Sequence, residues 1–92
     1  MIDTEGIRRD FPIFEREIHG RRLVYLDNAA TTQKPRAVIE RITRFYSEEY
    51  ANIHRSGHAL AELASAAYEE ARENVRGFIG AESASEIVFT PG

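Results

Sequence analysis

From about His58 to Ile79 the chain returns an apolar residue to one side every three or four positions: Leu60, Leu63, Ala64, Ala67, Tyr68, Ala71, Val75 and Phe78. That spacing predicts a single helix of about six turns. Its alanines allow close approach of another element, and a stripe so long and thin needs a surface to lie against. Gly80, just past the last periodic residue, marks the stop, because glycine takes the left-handed conformation that ends helices without strain. The chain has 92 residues, at most one small domain with a modest core. What covers the stripe must come from the remaining residues or from another chain.

Before this helix, Asp3 or Thr4 is placed to cap a short helical turn running to about Arg9. Phe11 precedes Pro12 and is pushed out of the helical region, which ends the turn. Glu15 to Ile18, His19-Gly20 and Leu23 to Leu26 read as a small hairpin or a turn into a strand, with Gly20 accepting positive φ and Arg21 and Arg22 turned to solvent. Pro35 suits the first turn of a second helix. Val38, Ile39, Ile42, Phe45 and Tyr46 give that helix an apolar stripe, Glu40 and Arg44 stand four apart in the favourable order, and its end is expected near Glu49 or Tyr50. Ala51 to Gly57 is a loop. Ser83 and Glu86 have capping-box spacing, and the β-prone run Ile87-Val88-Phe89 follows at once. The expected order is short helix, β-hairpin, two helices and a terminal strand. It is an α/β chain whose last strand lacks a neighbour for a parallel sheet, which reads as a larger fold cut short.

Composition narrows the partners. Hydrophobic residues make up 42% and charged residues 29%, ordinary values for a soluble globular protein. A net charge of -3 gives no reason to expect nucleic acid or an anionic membrane as partner. No apolar run approaches bilayer length, and the N-terminus lacks the basic-then-apolar pattern of a secretory signal. The absence of cysteine removes disulfides, thiolate metal ligands and a cysteine nucleophile.

Three places carry candidate chemistry. The loop Asp27 to Lys34 joins small and polar residues between a strand and a helix. Ala29 and Ala30 leave backbone amides uncovered for a small ligand, and Thr31 and Thr32 offer hydroxyls, although the same composition also serves a plain connector. Asp27 is expected to hold this loop through backbone hydrogen bonds. His54 and His58 are four apart, a spacing that shares a metal only on a helix face. Gly57 interrupts such a face and no third ligand is evident, so no metal site is expected and a structural or solvated pair is the ordinary reading. Lys34, the only lysine, sits in a polar loop. A Schiff-base lysine needs desolvation or a cationic neighbour, so Lys34 reads as a solvated one.

The run Leu26-Asp27-Asn28-Ala29-Ala30-Thr31-Thr32-Gln33-Lys34-Pro35 is followed by His54-Arg55-Ser56-Gly57-His58. Arg9-Asp10-Phe11-Pro12 comes before them and Ile87-Val88-Phe89-Thr90-Pro91-Gly92 after. In this order and spacing the chain resembles the N-terminal part of SufS-type cysteine desulfurases, pyridoxal-phosphate enzymes of the class V aminotransferase family. The resemblance implies that residues 1–92 are an incomplete N-terminal segment of a PLP-dependent transferase fold, without the large cofactor domain. It implies a parent enzyme that moves sulfur from L-cysteine to an enzyme persulfide and releases alanine. That enzyme would be a cytoplasmic homodimer supplying a sulfur-acceptor protein for iron–sulfur cluster assembly. It places Asn28, Ala29, Ala30, Thr31 and His54 at the substrate pocket, and Arg55 and His58 at the dimer interface or active-site rim. It places no catalytic or cofactor-binding residue here: the cofactor lysine and a phosphate-binding T-T-E-x-x-N segment lie beyond these residues. The 92 residues alone are therefore expected to be inactive. Selenocysteine lyases and other class V enzymes share much of this region. A stand-alone, non-catalytic interaction module docking through the Leu60–Phe78 stripe is the alternative of a different kind.

Overall fold

Asp3 starts the first helix, α1 (Thr4–Arg9). Its carboxylate accepts the Gly6 amide at 2.9 Å, satisfying one of the donors that every helix start leaves over. Glu5 in the first turn and Arg8 and Arg9 in the last complement the helix dipole. Phe11 is extended, as the proline after it predicts, and Pro12 opens a 3-10 turn over Pro12–Glu15. The computed structural model describes residues 1–53 and 57–92, and these divide into two units, Met1–Phe45 and Tyr46–Gly92.

In the first unit, β1 (Glu17–Ile18) and β2 (Arg21–Arg22) pair antiparallel, with Glu17 opposite Arg22 and Ile18 opposite Arg21. His19 (φ 53) and Gly20 (φ 72) make the turn. Two successive positive φ values are what a two-residue turn needs to follow the twist of its strands. The hairpin is thus present, but the second strand is the pair of arginines and not Leu23–Leu26. That apolar stretch runs on past the ladder with no strand partner, and β-structure requires a second backbone to receive its hydrogen bonds. It keeps the alternation of a strand all the same: Leu23 and Tyr25 are half-buried, Val24 and Leu26 exposed. Pro35 caps α2 (Arg36–Arg44), and a π-type turn over Phe45–Glu49 carries the helical run to its expected end.

None of residues 1–45 is fully buried, so polar links do much of the tertiary work. Arg22 bonds both carboxylate oxygens of Glu5, at 3.0 and 2.9 Å. Arg36 reaches Glu15 at 3.0 Å. Both pairs are exposed, and such pairs contribute only about 0–1 kcal/mol each. Arg8 is better placed. It is half-buried, its guanidinium lies 4.2 Å over the Phe14 ring, and its Nη2 donates to the Leu23 carbonyl at 3.0 Å. A charged donor to a partly buried carbonyl contributes about 1.5–3 kcal/mol, and the ring contact about 0.5–2 kcal/mol more. Arg8 therefore outweighs the two exposed ion pairs.

The second unit is built on α3 (Ala59–Ile79). Gly80 ends it in the left-handed conformation (φ 73), and the Ala81 amide turns back to the Arg76 carbonyl at 3.1 Å. Arg76 closes the same end with its side chain, donating to Ala81 O at 2.9 Å and to Glu73 at 2.7 Å. That hydrogen bond holds the Glu73 carboxyl below its ordinary pKa. The Ser83–Glu86 capping box is present: Glu86 accepts the amides of Glu82 and Ser83, and Ser83 Oγ accepts that of Ser85.

The core of this unit is Ala61, Ala64 and Ile87, with the Tyr68 and Phe89 rings edge to face at 5.3 Å. The covered side of α3 is therefore centred on Ala61, Ala64 and Tyr68, about a quarter turn from the line Leu60–Leu63–Phe78. Those three are exposed, Phe78 at 92%. The predicted stripe spans both sides, and within this unit's described residues only one is buried. The predicted terminal strand at Ile87–Phe89 is absent. The segment is extended and unpaired, with Ile87 buried and Val88 exposed, for the same lack of a ladder partner as Leu23–Leu26. Because Ile87 is the largest buried side chain among the described residues, Ile87→Ala should cost about 2–4 kcal/mol. In a chain this small that lowers the thermal midpoint by roughly 10 °C or more, measured by circular dichroism. An unchanged midpoint would show that Ile87 is not part of the folding core.

Candidate functional site

Asn28, Ala29 and Ala30 form a turn between the extended stretch and α2, and Thr31 follows it; all four are exposed. What shapes this turn is Tyr25. Its hydroxyl reaches the carbonyls of Asp27 at 2.9 Å and Thr31 at 2.6 Å, so one side chain bridges the residues that flank the turn. Two weaker contacts follow: Thr32 Oγ1 donates to Asn28 O at 3.3 Å, and Lys34 Nζ to Thr32 O at 3.0 Å. Asp27 holds the loop as expected only in part, since its contribution is a backbone carbonyl that accepts from Tyr25.

The loop is anchored at both feet to the N-terminal segment. Upstream, Arg8 holds the Leu23 carbonyl. Downstream, the Arg36 amide donates to Asp10 O at 2.7 Å and its side chain pairs with Glu15. Beside α1, an open cleft of 330 Å³ is lined by Glu5, Arg8, Arg9, Phe14, Glu15 and Arg22. Its carboxylates are paired, Glu5 with Arg22 and Glu15 with Arg36, and Arg8 is committed to the Leu23 carbonyl.

His58, in the second unit, is the N-cap of α3: its Nδ1 accepts the Ala61 amide at 3.2 Å. The residue expected at an interface or rim thus has a structural duty within its own unit. His54 and Arg55 lie outside the described residues. Asn28 to Thr31 are brought together by the fold, while His58 belongs to the other unit. Among the described residues no group of three His, Asp or Glu side chains converges as a metal would require. No helix among them is long and apolar enough to cross a membrane.

Lys34 is exposed and bonded to a loop carbonyl, the opposite of the desolvated setting that an imine-forming lysine needs. These residues do not fit the covalent anchor of pyridoxal phosphate. Sequence reasoning missed Tyr25, although a tyrosine two residues before a turn of small and polar residues is a readable signal for a hydroxyl that can reach turn carbonyls.

The sequence model of the aminotransferase class-V family matches residues 24–92, which includes the loop, α2 and α3. The chain belongs to this family. It is 54% identical over 91 residues to a probable cysteine desulfurase of Streptomyces coelicolor, covering 98% of this chain and 22% of that protein. It is 52% identical to probable cysteine desulfurase 1 of Mycobacterium leprae over 100% of this chain and 15% of the relative. It is also 52% identical to a cysteine desulfurase of Synechococcus elongatus, over 99% of this chain and 14% of that one. The chain spans less than a quarter of the length of these curated relatives.

The cap is testable by itself. His58→Ala should destabilise the second unit by about 1 kcal/mol, whereas His58→Asn, whose side-chain oxygen can accept the same amide, should restore most of the loss. Denaturant unfolding followed by helix signal measures both. Equal stability of all three proteins would mean that the imidazole does not cap the helix.

Proposed function

We propose that this chain is the N-terminal part of a pyridoxal-phosphate-dependent cysteine desulfurase. The enzyme would move sulfur from L-cysteine to an enzyme persulfide, release alanine, and supply a sulfur-acceptor protein for iron–sulfur cluster assembly as a cytoplasmic homodimer. The observation that carries this reading is identity of about half along essentially the whole chain to several proteins named cysteine desulfurase. In this reading residues 1–92 are a segment of a transferase fold. Asn28, Ala29, Ala30 and Thr31 line part of the substrate pocket together with His54, and Arg55 and His58 lie at the rim or the subunit interface.

The local physics is compatible with that division of labour. The turn is short, small in side chains and tied down at both ends, as a pocket wall should be. The segments Leu23–Leu26 and Ile87–Phe89 have strand alternation and, among the described residues, no strand partner, as strands of an unfinished sheet do. The covalent and thiolate chemistry belongs to residues this chain does not hold, since it has no cysteine and its one lysine is solvated.

Two linked measurements test the proposal. The coding sequence should continue in frame past the Gly92 codon into a segment with a lysine and a cysteine, and its full product should form alanine from L-cysteine, whereas residues 1–92 alone should form none. A stop codon directly after Gly92, or alanine formation by residues 1–92 alone, would contradict it.

A further inference from the structure

We propose that Tyr25 is the positioning residue of the Asn28–Thr31 turn, its single hydroxyl proton shared between the carbonyls of Asp27 and Thr31 and so fixing the shape that the turn presents. As a statement about substrate this rests on the reading of the turn as pocket wall; as a statement about the turn it stands on geometry alone.

A tyrosine hydroxyl has one proton to donate. Here two carbonyls four residues apart lie within its reach, Thr31 O at 2.6 Å and Asp27 O at 2.9 Å. Thr31 is the closer acceptor and Asp27 completes a three-centre arrangement. The turn cannot open without giving up both contacts, and Asn28, Ala29 and Ala30 lie between them. Tyr25 is itself held in place. It is half-buried, on the same side of the extended stretch as Leu23, whose carbonyl Arg8 grips. The other contacts on the turn are weaker clamps. Thr32 reaches Asn28 O only at 3.3 Å, and Lys34 bonds a carbonyl outside the turn. Nothing about the hydroxyl suggests contact with a reacting atom, so its effect on a reaction would come through the loop.

The hydroxyl can be removed without removing the ring. In the 92-residue chain, Tyr25→Phe should shift the carbonyl carbon resonances of Asp27 and Thr31, which report hydrogen bonding directly, and leave those of α2 and α3 in place. Unchanged carbonyl shifts at both residues would overturn the proposal. In the complete enzyme, the same substitution should raise KM for L-cysteine roughly fivefold, the equivalent of one ordinary hydrogen bond. It should leave kcat within about twofold, the signature of a residue that shapes binding and not the chemical step. An unchanged KM, or a loss confined to kcat, would overturn the role in substrate positioning. If the complete protein forms no alanine at all, the enzyme reading fails, and the carbonyl shifts alone decide whether Tyr25 sets the turn.

Discussion

Arg8 is the side chain on which the first unit depends. No residue from Met1 to Phe45 is fully buried, so an apolar core does not explain why α1, the 3-10 turn and the stretch before the loop keep their places. One guanidinium does so by two different contacts, its face on Phe14 and its edge on the Leu23 carbonyl. An ammonium could not do both, since it lacks a planar face to stack and a fixed fork to aim. The ion pairs of Arg22 and Arg36 repeat the pattern at the hairpin and at the start of α2, in more solvent and with less effect. Three arginines thus join elements that share too little apolar surface to hold by burial.

The second unit works by the opposite means. Ala61 and Ala64 are almost fully buried, Ile87 is buried with them, and the Phe89 ring meets Tyr68 of the helix edge to face. The helix is closed at both ends by side chains as well as by backbone, His58 at the start and Arg76 at the finish. What the unit does not do is cover Leu60, Leu63 and Phe78. Within a chain that spans less than a quarter of its relatives, an exposed apolar helix side agrees with the proposal that the chain is one segment of a larger fold.

The helices and their ends were legible in the sequence because they are local. Asp3, Pro35, Gly80 and the Ser83–Glu86 box each act within a few residues, and each stands where its chemistry predicts. The hairpin's first strand and its His19-Gly20 turn were legible, but the second strand and the two apolar runs were not, because a strand exists only with a partner and β-propensity does not say whether one is present. Leu23–Leu26 and Ile87–Phe89 have the pattern and no ladder, while Arg21–Arg22 has a ladder that no propensity would suggest. The helical stripe was legible as a whole, but periodicity alone does not tell which half of it would find cover. Of the site, the loop residues came from the sequence and its resemblance. The side chains that hold the loop, Tyr25 and Arg8, act across turns or over fifteen residues, and only the fold reveals them.

The candidate turn keeps its shape because the N-terminal segment grips the stretch that leads into it. The most direct test is amide hydrogen exchange of Arg8→Met, which keeps an apolar side chain over Phe14 and removes the donor to Leu23. Exchange should speed up together in α1, at Leu23 to Tyr25 and through the turn to Thr32, showing that one contact supports all three. Faster exchange confined to α1, with the turn unaffected, would mean that the loop holds its shape without the segment beneath it, and the account would be wrong.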